Sequence, residues 1–244
     1  MLKILIVTAA FNAEKTIQET LESTKILCNK NLNIIHVVKD ALSNDKTVEI
    51  TKQYQHVKLV SSKDNGIYDG FNQGASFTDW DFIYYLNADD VLTMQGSVSL
   101  DWLSKFGDKN KVYCFSIEII RLNKQRVLYD SKKINLLKVI SGYMPPHPGM
   151  IVGKNLFVKF DTNFKVSADY NFFLEIWHKN KGAFNNFSEI IAEMKEGGNS
   201  QTTRGRLISF YEDSLSLSKF YGRFFGYLIS LLKKIRGVIK WYLI

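Results

Sequence analysis

Apolar and polar positions follow two alternating spacings along the first half of the chain. Lys3–Thr8 is a short, β-branched apolar run that predicts a buried strand, and Glu14–Leu27 then repeats apolar side chains at helical spacing through Ile17, Leu21, Thr24 and Ile26/Leu27. The alternation continues with a strand over Asn33–Lys39, a helix over Asp45–Gln55, a strand over Val57–Ser61, a short helix over Phe71–Ser76 and a strand over Phe82–Leu86. Strands that alternate with helices predict a mainly parallel sheet. In the second half, Val112–Ile120 and Arg126–Tyr129 read as a hairpin joined by Leu122–Gln125, Lys132–Ile140 has helical spacing, and Met150–Val152 reads as a strand. Val166–Trp177 starts a helix capped by Ser167 or Asp169, with Phe172, Phe173, Ile176 and Trp177 on its buried side. Glu196–Thr203 is a polar lid or linker before a terminal helix.

Composition narrows the class. At 244 residues and 45% hydrophobic content, the chain suits one large α/β domain or one domain with an appendage. A net charge of +8 calls for an anionic partner: nucleotide, nucleic acid or membrane surface. Cys28 and Cys114, far apart in apolar surroundings, indicate neither a disulfide framework nor a zinc site and fit a reducing cytosol. The opening Met1-Leu2-Lys3 does not predict a signal peptide, and no apolar stretch reaches the length of a membrane span.

Candidate chemistry gathers where the strands end. Asp40, Asp64 and the adjacent Asp89 and Asp90 each follow a strand, and ligands of open α/β sheets sit beyond strand carboxyl ends. Asp89-Asp90 taken alone is better read as a solvated turn or helix cap; in company with the other acids it reads as a site for a hard divalent cation bound to phosphate. Asp90 is then expected to be a surface carboxylate that contributes little to the core. Asn65-Gly66 turns the chain into the helix bearing Asn72 and Gly74, whose amide end is placed to face phosphate. The loop Thr8–Asn12 contains no glycine, which excludes a dinucleotide fingerprint or a Walker A loop there. Pro145, Pro146 and Pro148 stiffen the loop around His147, which is either a loop histidine of no consequence or a site residue.

In order and spacing, Ile4–Asn12, Asp40–Thr47, Asp64–Gly74 and Asp81–Asp90 resemble the successive motifs of inverting GT-A glycosyltransferases of family 2, especially small bacterial members that build surface polysaccharides. The resemblance continues through His147, Ala168-Asp169-Tyr170 and Gly197-Gly198 and covers about residues 1–203. It implies a GT-A, Rossmann-like sheet and the transfer of a sugar from a nucleotide sugar, with UDP preferred, to a hydroxyl of a lipid-linked saccharide. It further implies that Thr8, Ala10, Asn12 and Asp40 hold the base, that Asp64 lies near base and ribose, and that Gly66 and Asn72 belong to the nucleotide-sugar site. Asp89 would approach ribose or metal, Asp90 would be the firmer ligand of Mn²⁺ or Mg²⁺, His147 would touch phosphate or acceptor, and Asp169 would be the general base. A sugar-nucleotide nucleotidyltransferase and a noncatalytic binding module are the alternatives. The family usually carries two glycines after the acid of the second strand, where this chain has Ala41 and Leu42.

The segment 204–244 is set apart by charge. Lys219, Arg223, Lys233, Lys234, Arg236 and Lys240 are its basic residues from 219 onward, without one acid among them. On a continuous helix, Phe220, Phe224, Leu228, Leu231, Ile235, Val238 and Tyr242 share one arc, with Trp241 and Tyr242 at headgroup level. A peripheral enzyme on the inner face of the cytoplasmic membrane is expected, with no nucleic-acid partner. Packing of this helix on the domain or on a partner subunit is the competing reading.

Overall fold

The computed structural model describes residues 1–29, 32–140, 143–197 and 202–231. They fall into two compact units, the first made of Met1–Lys132, Pro145–Phe157 and Ala183–Glu196. Its sheet has nine strands: β1 (Ile4–Ala10), β2 (Ile34–Asp40), β3 (Val57–Ser61), β4 (Phe82–Tyr85), β5 (Val91–Leu92), β6 (Val112–Ile120), β7 (Arg126–Tyr129), β8 (Met150–Gly153) and β9 (Phe184–Lys195). The order is β3-β2-β1-β4-β8-β6-β9-β5, with β7 beside β6. β3, β2, β1 and β4 are mutually parallel, so the chain steps outward on one side of β1 and returns on the other at β4. That reversal is the topological switch at which such sheets bind ligands. β8 then runs antiparallel to β4, and β6 pairs with β8 and β7 along one edge and with β9 along the other.

The central strands are apolar on both faces. Ile4 through Val7 and Phe82 through Tyr84 have no exposed surface, as strands covered by helices on both sides require. Helices α1 (Ile17–Lys25), α2 (Thr47–Lys52), α3 (Ile67–Ala75) and α4 (Met94–Phe106) connect the strands of this unit. α3 starts four residues earlier than its apolar pattern suggests, because Gly66 at φ +119° makes the turn into it. Gly74 lets α3 lie directly on β1: a Cβ there would stand 2.4 Å from Val7 Cγ1.

Three elements lie outside the sequence expectations. β5 has two residues; α4 buries Gly96, Ser97, Ser99 and Ser104 beside Leu100 and Leu103, so its inward face does not read as apolar; and β9 opens on Phe-Asn-Asn with a register shift against β6. The helix expected over Lys132–Ile140 is confined to α5 (Leu136–Ile140), where the Asn135 side chain accepts the Lys138 N–H.

The second unit comprises Lys133–Met144, Val158–Gly182 and the chain from Gly197 onward. In it α6 (Ala168–Lys179) is preceded by a loop whose amides converge on one acid. The buried Glu212 of α7 (Thr203–Tyr221) accepts the N–H groups of Lys165, Val166 and Ser167 at 2.6, 2.9 and 2.8 Å. α7 ends at Gly222, φ +82°, and residues 223–231 form a second helical segment that returns along α7. Gly226 lies against Ser218, Ser230 Oγ donates to the Phe210 carbonyl at 3.1 Å, and Tyr227 meets Phe210 edge to face. The continuous amphipathic helix expected from Lys219 is therefore broken at Gly222, and Phe220 stacks on His178 at 4.2 Å instead of joining the arc. The remainder of that arc, from residue 232, and Gly198 lie outside the described residues. Among the described residues no helix is long and apolar enough to cross a membrane.

Candidate active site

A cleft of about 580 Å³ opens at the carboxyl ends of the parallel strands, with Ala10, Asn12, Thr16, Asp64, Gly66 and Asp89 in its lining. The sequence placed all but Thr16 of these in a nucleotide site. Thr8 lies on the same face of β1 as Ala10, two residues deeper in the sheet. Thr8 is buried, with its hydroxyl 2.9 Å from His36 Nε2, so it supports the cleft from below. Burial drives the His36 pKa down to about 3, so the imidazole stays neutral in its contacts with Thr8 and Thr24.

Asp40 is also beneath the cleft. Its carboxylate accepts the Ser43 hydroxyl and N–H and the Ser61 hydroxyl at 2.6 Å, and it has no exposed surface. Through these bonds Asp40 shapes the loop that follows β2. In that loop Leu42 holds φ +59°, the left-handed conformation for which glycine is suited, and Asn12 at φ +50° accepts the Asn44 N–H. The loop thus keeps a left-handed turn without the glycines.

Asp64 is fixed on both oxygens. Oδ2 accepts the Lys39 ammonium at 3.0 Å and Oδ1 accepts the Gly66 N–H at 3.1 Å. Asp69 accepts the Asn65 N–H in the same turn. These two carboxylates hold the Asn65-Gly66 turn, and no side chain caps the first turn of α3 itself. Asn72 is half-buried on α3 and does not line the cleft. His147 stands in its proline-rich loop between Phe71 and Tyr85, with ring centroids 5.7 and 5.8 Å away, and burial lowers its pKa to about 4. It is a neutral, stacked ring that does not line the cleft.

The acid pair is asymmetric. Asp89 is exposed in the cleft, whereas Asp90 is completely buried, against the expectation of a surface carboxylate. Thr20 Oγ1 ties down the Asp90 carbonyl at 2.8 Å, and Asn87 Nδ2 donates to Oδ2 at 2.8 Å. Oδ1 is buried with no hydrogen-bond partner. Burial, and then the Asp89 charge, push the Asp90 pKa up to about 7; loss of water raises that of Asp89 as well. Lys195, at the end of β9, draws both back toward ionisation. An orphaned buried oxygen beside a second carboxylate fits a hard cation such as Mn²⁺ or Mg²⁺, which takes its other ligands from phosphate and water. Among the described residues no cluster of three or more such protein ligands occurs.

Asp169 belongs to the second unit, in the first turn of α6, with Oδ1 accepting the Tyr170 N–H at 2.8 Å. Its helical neighbour Glu175 is engaged by Lys219 and Asn171. Sequence reasoning did not single out Lys39, Lys195, Ser43, Ser61 or Glu212. Lys39 carried one legible signal, a lone cation inside the apolar strand Ile34-Ile-His-Val-Val-Lys.

The sequence profile described as "Glycosyl transferase family 2" matches residues 5–136, more than half of the chain. No curated protein matches. Among solved structures, S. aureus TarS 1-349 superposes with a TM-score of 0.67 at 15% identity, over 95% of this chain and 70% of that one. The same fragment in complex with UDP-GlcNAc gives a TM-score of 0.67 at 16% identity, over 88% of this chain and 66% of that one. S. aureus TarS in a longer form matches at 19% identity with a TM-score of 0.63, and this chain spans 43% of its length. At these identities the likeness is one of fold.

Proposed function

We propose that this chain, which belongs to glycosyl transferase family 2 and is a glycosyltransferase of GT-A fold, transfers a sugar with inversion from a UDP-sugar to a hydroxyl of a lipid-linked saccharide, in the assembly of a bacterial surface polysaccharide. The observation that carries the donor side is the cleft at the strand ends with Asp89 in its wall and Asp90 behind it. UDP is favoured as the nucleotide because a structural neighbour has been captured with UDP-GlcNAc and with UDP. A bound Mn²⁺ or Mg²⁺ would neutralise charge on the departing diphosphate. Asp90 and Asp89 would hold that cation, and Asp64 would accept hydrogen bonds from the base or ribose.

Sugar transfer needs the acceptor hydroxyl to lose a proton as it attacks, and Asp169 is the carboxylate assigned to take it. Its place in the first turn of a helix, and the engagement of Glu175 elsewhere, support that choice. A single displacement at the anomeric carbon then inverts its configuration with no covalent enzyme intermediate.

The membrane part of the proposal rests on the second unit. α7 exposes Leu207, Tyr211 and Leu215 at four-residue spacing, and the segment after Gly222 exposes Phe224, Phe225 and Tyr227. Glu212 and Asp213 are buried, so Arg204, Arg206 and Arg223 stand at the surface of this hairpin with no exposed acid on it. Apolar rings flanked by arginine suit an anionic lipid surface on the cytoplasmic leaflet.

The test is release of UDP from a panel of UDP-sugars with manganese and an acceptor lipid extract. Asp90→Ala should abolish release and metal-dependent UDP binding, and Asp169→Asn should bind UDP normally while losing most turnover. Undiminished release in excess chelator would remove the metal from the scheme; a normal rate for Asp169→Asn would move the base elsewhere.

A further inference from the structure

Asp64, Asp89 and Asp90 stand at or behind the wall of a cleft assigned to a nucleoside diphosphate, with Asp40 beneath it, and a diphosphate brings more negative charge. A cation held by Asp89 and Asp90 would offset that pair. Asp64 has a different partner. Lys39 lies on β2 with no exposed surface, and its Nζ donates to the Asp40 carbonyl at 2.9 Å, the Ser62 carbonyl at 2.6 Å and Asp64 Oδ2 at 3.0 Å. Three donors meet three acceptors, which is what a fully buried ammonium requires. With Oδ1 taken by the Gly66 N–H, the Asp64 carboxylate is clamped between a strand and a turn, and its side chain keeps only 7% of its exposure.

We propose that Lys39 is a positioning residue for nucleotide binding. Its buried ammonium orients Asp64 so that the carboxylate accepts N–H or O–H donors of the base and ribose. It also cancels the charge with which Asp64 would repel the diphosphate. The inference rests on the reading of the cleft as a nucleotide site. If Lys39 were only a tie between β2 and the loop after β3, its loss would lower stability and leave affinity alone.

The two cases separate in isothermal titration of UDP and of uridine, in manganese buffer, into wild type, Lys39→Met, Asp64→Asn and the double variant, with folding checked by circular dichroism. Lys39→Met should weaken UDP by about tenfold or more and uridine by less, since uridine brings no phosphate to repel. Asp64→Asn should weaken both ligands. The double variant should bind no worse than Asp64→Asn, because an amide needs no counter-cation. In turnover, Lys39→Met should raise KM for the donor with kcat nearly unchanged. Folded Lys39→Met with wild-type UDP affinity would overturn the inference, as would losses that add in the double variant. Should Lys39→Met fail to fold, the comparison of Asp64→Asn with the double variant still decides, because any further loss of UDP affinity contradicts the proposal. Wild type that binds neither UDP nor uridine would instead defeat the nucleotide reading itself, and the inference with it.

Discussion

Asp90 is a buried carboxylate whose charge Asn87 and Lys195 offset only in part. Its pKa, raised from 3.8 to about 7, means that the folded state takes up a proton which the unfolded state releases. The cost to stability is therefore complete above pH ~7 and vanishes as pH falls toward ~4. Asp90→Asn, measured by thermal melts in chelator, should raise the melting temperature near pH ~8 by about 2–4 °C for each kcal/mol relieved, and the gain should shrink toward pH ~5. A gain independent of pH, or none, would show that burial is not the cause. The lowered pKa values of His36 and His147 act oppositely, since each must stay neutral when buried and so weakens the fold as pH drops below ~6.5. Both are present in wild type and variant, so the difference isolates Asp90. The acid pair was legible because an apolar run stopped on it. Its burial was not, since that depends on Thr20 and Asn87, contacts that no periodicity reports. The serine contacts of Asp40 were hidden for a related reason: an acid after a strand reads the same whatever its carboxylate meets.

The loop after β2 and the helix α4 show how differently elements register in a sequence. β1 and β4 were readable because strands buried on both faces are almost purely apolar. α4 hid because its buried face is built from serine and glycine, with Gly96 so close to β9 that a Cβ would stand 2.3 Å from the Ile191 carbonyl oxygen. The loop after β2 kept its geometry although its glycines are gone. Leu42 at φ +59°, half of its surface exposed, bears a steric cost without burial to offset it. Leu42→Gly should therefore stabilise the protein by about 0.5–1 kcal/mol, the left-handed cost less the extra chain entropy of glycine. Chemical denaturation gives the value, and a loss of stability would mean that the Leu42 side chain has a partner in solution.

At the scale of the whole chain, the proposed membrane contact belongs to the hairpin around Gly222. Flotation of full-length protein and of a form ending at residue 221, with anionic and neutral vesicles, should show recovery of the full chain on anionic lipid and a marked loss on truncation. Equal flotation of both forms would return the exposed aromatics to some other role. The sheet carries a further consequence, in the time order of synthesis. β1, β2, β3 and β4 can pair with one another as soon as Tyr85 has left the ribosome, and only the far edge of β4 still waits, for β8. β6 finds only β7 early, over Ile117–Ile120: the rest of that edge waits for β8 and the whole other edge for β9, and β5 pairs with nothing until β9 is complete. Long-range pairings of this kind close slowly. During that interval the nascent chain presents β6, apolar along most of its length, with an open edge that a neighbouring nascent chain can also fill. Translation past Phe184–Lys195 is thus the point at which this protein stops being a hazard to its neighbours.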